Sequence, residues 1–249
     1  MARSPTGSPA GNPTGNPTTE TDPPQGVRAR ARAELLADVS RIARSHLADA
    51  GASGLSVRAI ARELGLVSSA LYRYYPSRDA LLTQLIIEAY DELGEAVEVA
   101  EAACDRIDVA GRYRAASHAV RNWAMANPHE YALIYGSPVP GYAAPVDTID
   151  PAVRVAVVLA RIAADVDPAG LRLRLPSTMA PGLQQQLRAL TEAVGQPADE
   201  HVLLLGVTQW AQLFGMVSFE LFGTFHNTFD DAEALFAAHL ELGLTALGY

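Results

Sequence analysis

The sequence predicts an all-α protein. A small N-terminal three-helix unit holds a helix-turn-helix, and a larger helical body follows. Three observations carry this. Apolar residues recur at helical spacing between Gly and Pro breaks, and no stretch reads convincingly as a strand. Good N-cap residues (Ser56, Ser77, and Asp230 or Asp231) stand where the periodic stretches begin. Charge also divides along the chain: residues 26–85 hold nine arginines against five acids, a net +4, and residues 86–249 hold nine against 21, a net -12.

Residues 1–25 are rich in Pro, Gly and Thr and repeat GNPT at 11–14 and 15–18. Such a segment buries too little apolar surface to fold, so a disordered tail is expected. Arg28, Arg30 and Arg32 follow at alternate positions. That spacing suits an arm reaching a minor groove or a phosphate, and it also suits the solvated first turn of a helix. A helix then runs to about Ala50, with Leu35, Val39, Ile42, Ala43 and Leu47 as its buried stripe. Gly51 and Gly54 break it.

Ser56 opens the next helix, whose apolar positions are Val57, Ile60, Ala61 and Leu64. Gly65 permits the left-handed turn that follows. A second short helix starts near Val67, buries Leu71 and Tyr75 and is expected to stop at Pro76. Its other faces carry Ser68, Ser69, Tyr72, Arg73 and Tyr74. Hydroxyls, a guanidinium and phenols on a short helix suit a DNA groove. Ser77 caps a long helix to about Ala103, with Leu81, Leu82, Leu85, Ile86, Ala89 and Tyr90 inside and Glu88, Glu92, Glu95 and Glu98 outside. The expected boundaries are a helix-turn-helix domain at 26–76 and a body at 77–249, with this long helix as a lever between them.

In the body, a helix at about 109–126 carries Tyr113, Ala116, Val120 and Trp123. Asn127-Pro-His-Glu130 reads as the capping arrangement of the next helix, which ends at Gly136. A Pro/Gly-rich loop covers 137–149, and Asp150-Pro151 opens a helix from Val153 to about Asp165. Residues 166–180 are irregular, and helices follow at about 181–194, 198–223 and 231–247. The 198–223 helix is apolar on nearly all sides, so every side needs a cover. Pairing with a twofold copy, through this helix and the last, provides one; a central place in a large monomer provides another.

Composition excludes several classes. Cys104 is the only cysteine, so no internal disulfide forms, which fits a reducing compartment. No apolar run of about 18 residues or more is read, so no membrane span is expected, and the head lacks the apolar core of a signal peptide, so a cytoplasmic protein is expected. The six histidines show no metal-ligand spacing, and no metal or other cofactor is expected. No phosphate loop, nucleophile elbow or base beside Cys104 suggests an enzyme. All basic residues are arginine, and their gathering near one end suits phosphate contact; the acidic remainder suits helix faces kept soluble.

The stretch LxVRAIARELGLVSSALYRYYPSRDALL resembles the DNA-binding domain of the TetR family of transcriptional regulators over about residues 28–85. It departs at Tyr74, Tyr75 and Arg78, where histidine, phenylalanine and lysine are common. The resemblance implies that Tyr72 and Tyr74 hydrogen-bond backbone phosphates and that Arg78 binds a phosphate at the start of the long helix. It implies that Ser68, Ser69 and Arg73 face base edges or the groove wall, and that Arg58 stands at a position that in some relatives reads guanine. Solvated helix faces are the plainer reading of Arg58 and Arg73. WAxxNPHEYALIYG and Trp210-Ala-Gln-Leu-Phe214-Gly215 resemble a TetR C-terminal domain with a Trp–His–Gly signature, with Phe214 in place of the histidine.

These readings combine into an expected ligand-responsive repressor, a homodimer on a palindromic double-stranded DNA operator. Trp123, Tyr131, Tyr135, Met179 and Phe214 are the expected lining of a pocket for a small, largely apolar effector, and plain core is their other reading. An activator or ligand-independent regulator of the same fold fits the sequence too, as does a helical carrier of an apolar ligand.

Overall fold

The computed structural model describes residues 24–173 and 178–249. The expected disordered tail lies outside the described residues up to residue 23; Pro24 and Gln25, expected to belong to it, open a helix instead. Ten α-helices and no strand occur among the described residues. They are α1 (Pro24–Ala50), α2 (Val57–Glu63), α3 (Ser68–Tyr72), α4 (Arg78–Ala102), α5 (Val109–Ala126), α6 (Pro128–Tyr135), α7 (Ile149–Ala164), α8 (Pro181–Val194), α9 (Glu200–Leu221) and α10 (Ala232–Leu247).

The chain divides into two compact units at Asp38 and Val39. The described part of the first is the leading half of α1, where residues 26–34 are exposed and Leu35 is half-buried. The second unit, Val39–Tyr249, holds everything that follows.

Helix starts match the cap chemistry. Ser56 Oγ accepts the Ala59 N–H at 3.3 Å and Ser77 Oγ accepts that of Ala80 at 3.0 Å. Asp108, Asp199 and Asp231 do the same for α5, α9 and α10. Each such cap contributes about 1 kcal/mol. Gly65 stands at φ +67°, and the Leu66 N–H bonds the Ala61 carbonyl at 2.8 Å, so the glycine closes α2 in a Schellman turn.

Three expectations need correction. The α3 helix ends at Tyr72 rather than Pro76, and the Tyr74 and Tyr75 N–H groups converge on the Leu71 carbonyl, a tightened last turn; the proline restricts only Tyr75, directly before it. Asn127 does not cap α6 through its side chain. Its Nδ2 donates back to the Trp123 carbonyl at 2.9 Å and so closes α5. The α7 helix begins at Ile149, ahead of the expected Val153, continuing a 3-10 turn at Val146–Thr148 in which Thr148 Oγ1 donates to the Pro145 carbonyl.

Val39, Ile42, Ala43 and Leu47 of α1, Ile60 and Ala61 of α2, Leu71, Tyr75 and Leu81, Leu82 and Leu85 of α4 are buried around the helix-turn-helix. Further along α4, Ala89, Leu93 and Val97 join the core of the body with residues of α5, α7, α9 and α10. By length and composition α9 is apolar enough to cross a membrane, although polar residues interrupt its apolar run. In the fold it is a bundle helix. Its buried Gln209 accepts from Tyr113 at 3.3 Å, and Glu220 holds Arg121 at 2.6 and 2.8 Å.

Ion pairs distant in sequence stitch α4 to its neighbours. Arg44 of α1 holds Glu88 and Glu92. Arg154 of α7 holds Asp91 and Glu98. Arg112 of α5 joins Glu101 to Asp165 beyond the end of α7 at 2.6 Å each.

Candidate nucleic-acid interface

The α2–turn–α3 unit presents the polar surface that its sequence implies. Burial of Ile60 and Leu71 fixes the two helices, so the intervening positions turn outward. Arg58, Ser69 and Arg73 are exposed; Ser68, Tyr72 and Tyr74 are half-buried, and Tyr74 has an interaction partner within the protein. Tyr75 is buried at 6% exposure, as a core aromatic.

Arg78, the first residue of α4, is partly committed. Its Nη2 donates to the Ala52 carbonyl at 2.6 Å and its Nη1 meets Asp79 Oδ1 at 3.3 Å. It therefore pins the Ala52–Gly54 turn beside the start of α4, with its side chain about one third exposed. Arg44 adds little to the positive surface, because Glu88 and Glu92 hold it.

Sequence reasoning missed Val67. It stands at 72% exposure as the residue before α3. The signal was available: a β-branched residue two places after the turn glycine, directly before two serines, has no apolar periodicity to place it inside.

The five expected pocket residues fall in two places. Trp123, Tyr131 and Phe214 belong to the body's core, with Tyr135 packed against it. Tyr135 and Phe214 lie 4.4 Å apart between ring centres, and Tyr131 and Tyr135 lie 5.1 Å apart. The Tyr131 hydroxyl donates to the Phe214 carbonyl at 3.2 Å, with Ser218 Oγ at 2.9 Å; burial pushes this phenol up to about 12. Burial, then the neighbouring Tyr90 and Tyr131, raise Tyr135 still further. Met179 sits on the segment before α8 and is half-buried. None of the five lines the two cavities between α7, α8, α9 and their neighbours.

Among the described residues, no three His, Cys, Asp or Glu side chains gather as a metal site requires.

A short helix presenting serines, a phenol and arginines, set on a second helix by a glycine turn, defines a helix-turn-helix DNA-binding protein. The comparisons agree. Residues 41–85 match the profile "Bacterial regulatory proteins, tetR family", and residues 113–242 match "Tetracyclin repressor-like, C-terminal domain". The chain is 40% identical over 207 residues to the HTH-type transcriptional regulators Rv1816 of Mycobacterium tuberculosis and Mb1846 of Mycobacterium bovis, covering 80% of this chain and 86% of theirs. The crystal structure of SCO4313 superposes with a TM-score of 0.71 at 33% identity, over 90% of this chain and 100% of that one. A protein of unknown function from Rhodococcus sp. RHA1 shares the fold, with a TM-score of 0.64 at 20% identity over 86% of this chain and 96% of its own. The chain belongs to the TetR family of transcriptional regulators.

Proposed function

We propose that this regulator is a homodimeric, cytoplasmic repressor without catalytic activity, released from a palindromic operator by a small, largely apolar molecule. The head at 26–76 docks on DNA and the body at 77–249 receives the effector and the second copy. The observation that carries the reading is α4. One uninterrupted helix starts beside the DNA-facing turn at Ser77 and Arg78 and runs into the body past Glu101, held by arginines from α1, α5 and α7. A shift of the body bundle moves this helix, and with it the spacing of two recognition helices on adjacent grooves.

On the DNA side, Arg58 reads guanine, Arg73, Ser68 and Ser69 face the groove, and Tyr72 and Tyr74 hold phosphates, in keeping with the family resemblance. The remaining donors of Arg78 add a phosphate contact while its other bonds hold the turn. Val67, as exposed as it is, supplies an apolar contact for a thymine methyl. On the dimer side, Phe219 and Phe222 near the end of α9 are half exposed, and Leu242 of α10 is 72% exposed in the single chain. A second copy covers them in a four-helix interface.

A gel-shift titration with the promoter region beside the protein's own coding sequence tests the reading. Salt-dependent binding of a specific fragment, weakened by a small molecule, is expected. Binding that is sequence-independent, or that tightens with the small molecule, overturns the repressor assignment.

A further inference from the structure

Between α7, α8 and α9 lies a cavity of about 150 Å³. Ala156 and Ala160 of α7, Leu190 of α8, and Leu203, Gly206 and Trp210 of α9 form most of its wall. Apart from the indole of Trp210, the whole lining is aliphatic. A second, smaller space adjoins it and shares Leu159, Gly206 and Trp210.

The room has a structural cause. Three wall positions lack bulk, Ala156, Ala160 and Gly206. At Gly206 the helices are already close: a Cβ there would stand 2.9 Å from the Ala163 Cβ. The α7–α9 separation is therefore set by that contact, and the space beside it stays open. On the third side α8 lays a leucine stripe, with Leu187 and Val194 buried and Leu190 half-buried over the cavity. Val207 and Trp210, each at least about one third exposed, bring the cavity to the surface.

Water that reaches this apolar recess finds no hydrogen-bond partner in its wall, so an apolar ligand displaces it at little cost; an engineered closed cavity of similar volume accepts benzene. Charged or hydrogen-bonding groups would lose their water here and gain no partner. The Trp210 ring also begins a line of ring contacts: Trp210 to Phe214 at 6.1 Å, Phe214 to Tyr135 at 4.4 Å, and Tyr135 to Tyr90 of α4 at 5.9 Å.

We propose that this cavity is a ligand site for an uncharged hydrocarbon group, roughly a single six-carbon ring with a short alkyl substituent, and that its occupant is the effector. The effector role rests on the reading of the chain as a ligand-responsive regulator; the site and its ligand class rest on the cavity alone. Occupancy presses on Trp210 and reaches α4 through Phe214, Tyr135 and Tyr90.

Toluene is the probe, with benzoate as its charged counterpart, titrated into the full chain by calorimetry and by tryptophan emission. Toluene is expected to bind saturably and benzoate at least roughly tenfold more weakly. Ala156→Leu, which fills the space, is expected to cut toluene affinity by roughly tenfold or more without lowering the melting temperature; Ala160→Leu is the second filling variant should the first not fold. Toluene uptake that never saturates, benzoate binding as well as toluene, or unchanged affinity in a folded filling variant overturns the site. Operator gel shifts separate the two readings. Saturable toluene binding with unchanged operator affinity supports the site and overturns its effector role. Operator release by some other small molecule, equal in the unmodified chain and the filling variant, overturns the cavity as effector site and leaves the ligand-response reading standing.

Discussion

Arg154 of α7 lies across Gly94 of α4, where a Cβ would stand 2.7 Å from Arg154 Nε and 3.0 Å from its Cβ. From there the guanidinium reaches Asp91 Oδ1 at 2.8 Å and Glu98 at 2.7 and 2.9 Å. A mid-helix glycine costs about 0.5–1 kcal/mol relative to alanine, and here it makes room for the clamp that ties α7 to α4. Gly94→Ala is expected to lift Arg154 and cost about 1–3 kcal/mol in urea unfolding. Adding Arg154→Ala removes the clash, so the double variant should lose less than the sum of the singles. Strict additivity would contradict the contact.

The same clamp makes a pH prediction. The Arg154 hydrogen bond holds the Glu98 carboxyl below its ordinary value. A depressed folded-state pKa gives stability that is present above the unfolded value and lost as pH falls through the folded one. Urea midpoints should therefore fall as pH drops below about 4.5, the ordinary carboxylate range. Arg154→Gln should flatten that part of the fall. An identical acid profile in the variant would assign the loss to other carboxylates.

Arg112 is the most buried charge among the described residues, with its side chain 1% exposed between Glu101 and Asp165. Arg112→Met leaves Glu101 without its cation and Asp165 with only the exposed Arg106 at 2.7 Å, and is expected to cost about 3–5 kcal/mol. Combining it with Glu101→Gln and Asp165→Asn should restore part of the loss, as measured by thermal unfolding. No recovery would mean that packing, rather than charge, keeps the arginine.

Much of this was legible in the sequence, and what was not has a physical cause. Helix starts are local: Ser56, Ser77 and Asp231 act within three residues, so their stretches point to them, Asp231 as one of two neighbouring candidates; the cap Asp199 was missed. The polar surface of α2 and α3, proposed to face DNA, was also local, since the two helices follow one another closely between Val57 and Tyr72. Arg154 with Glu98, Arg112 with Asp165 and Arg121 with Glu220 join positions 53 to 99 apart, which no periodicity reports. The cavity was hidden for another reason. Large apolar residues drew attention to Trp123, Tyr131, Tyr135 and Phe214, yet three of these fill the core and the fourth packs on it. Open space arises where side chains are small, at Ala156, Ala160 and Gly206, on helices that only the fold brings together.

The proposed dimer makes its own prediction. Phe219 and Leu242 are exposed in the single chain, so replacing them should spare the fold. Phe219→Glu with Leu242→Glu is expected to halve the mass seen by light scattering and to weaken operator binding. An unchanged mass would place the interface elsewhere.

The most direct test is a gel-shift comparison, at several salt concentrations, of the unmodified protein with Arg58→Ala and Tyr72→Phe on operator and scrambled fragments. Tyr72→Phe should weaken binding to all sequences alike. Arg58→Ala should also relax discrimination, by about 1–3 kcal/mol at one base pair. If Arg58→Ala changes neither affinity nor sequence preference, or if no fragment is bound specifically, the assignment of α2 and α3 as the reading head is contradicted.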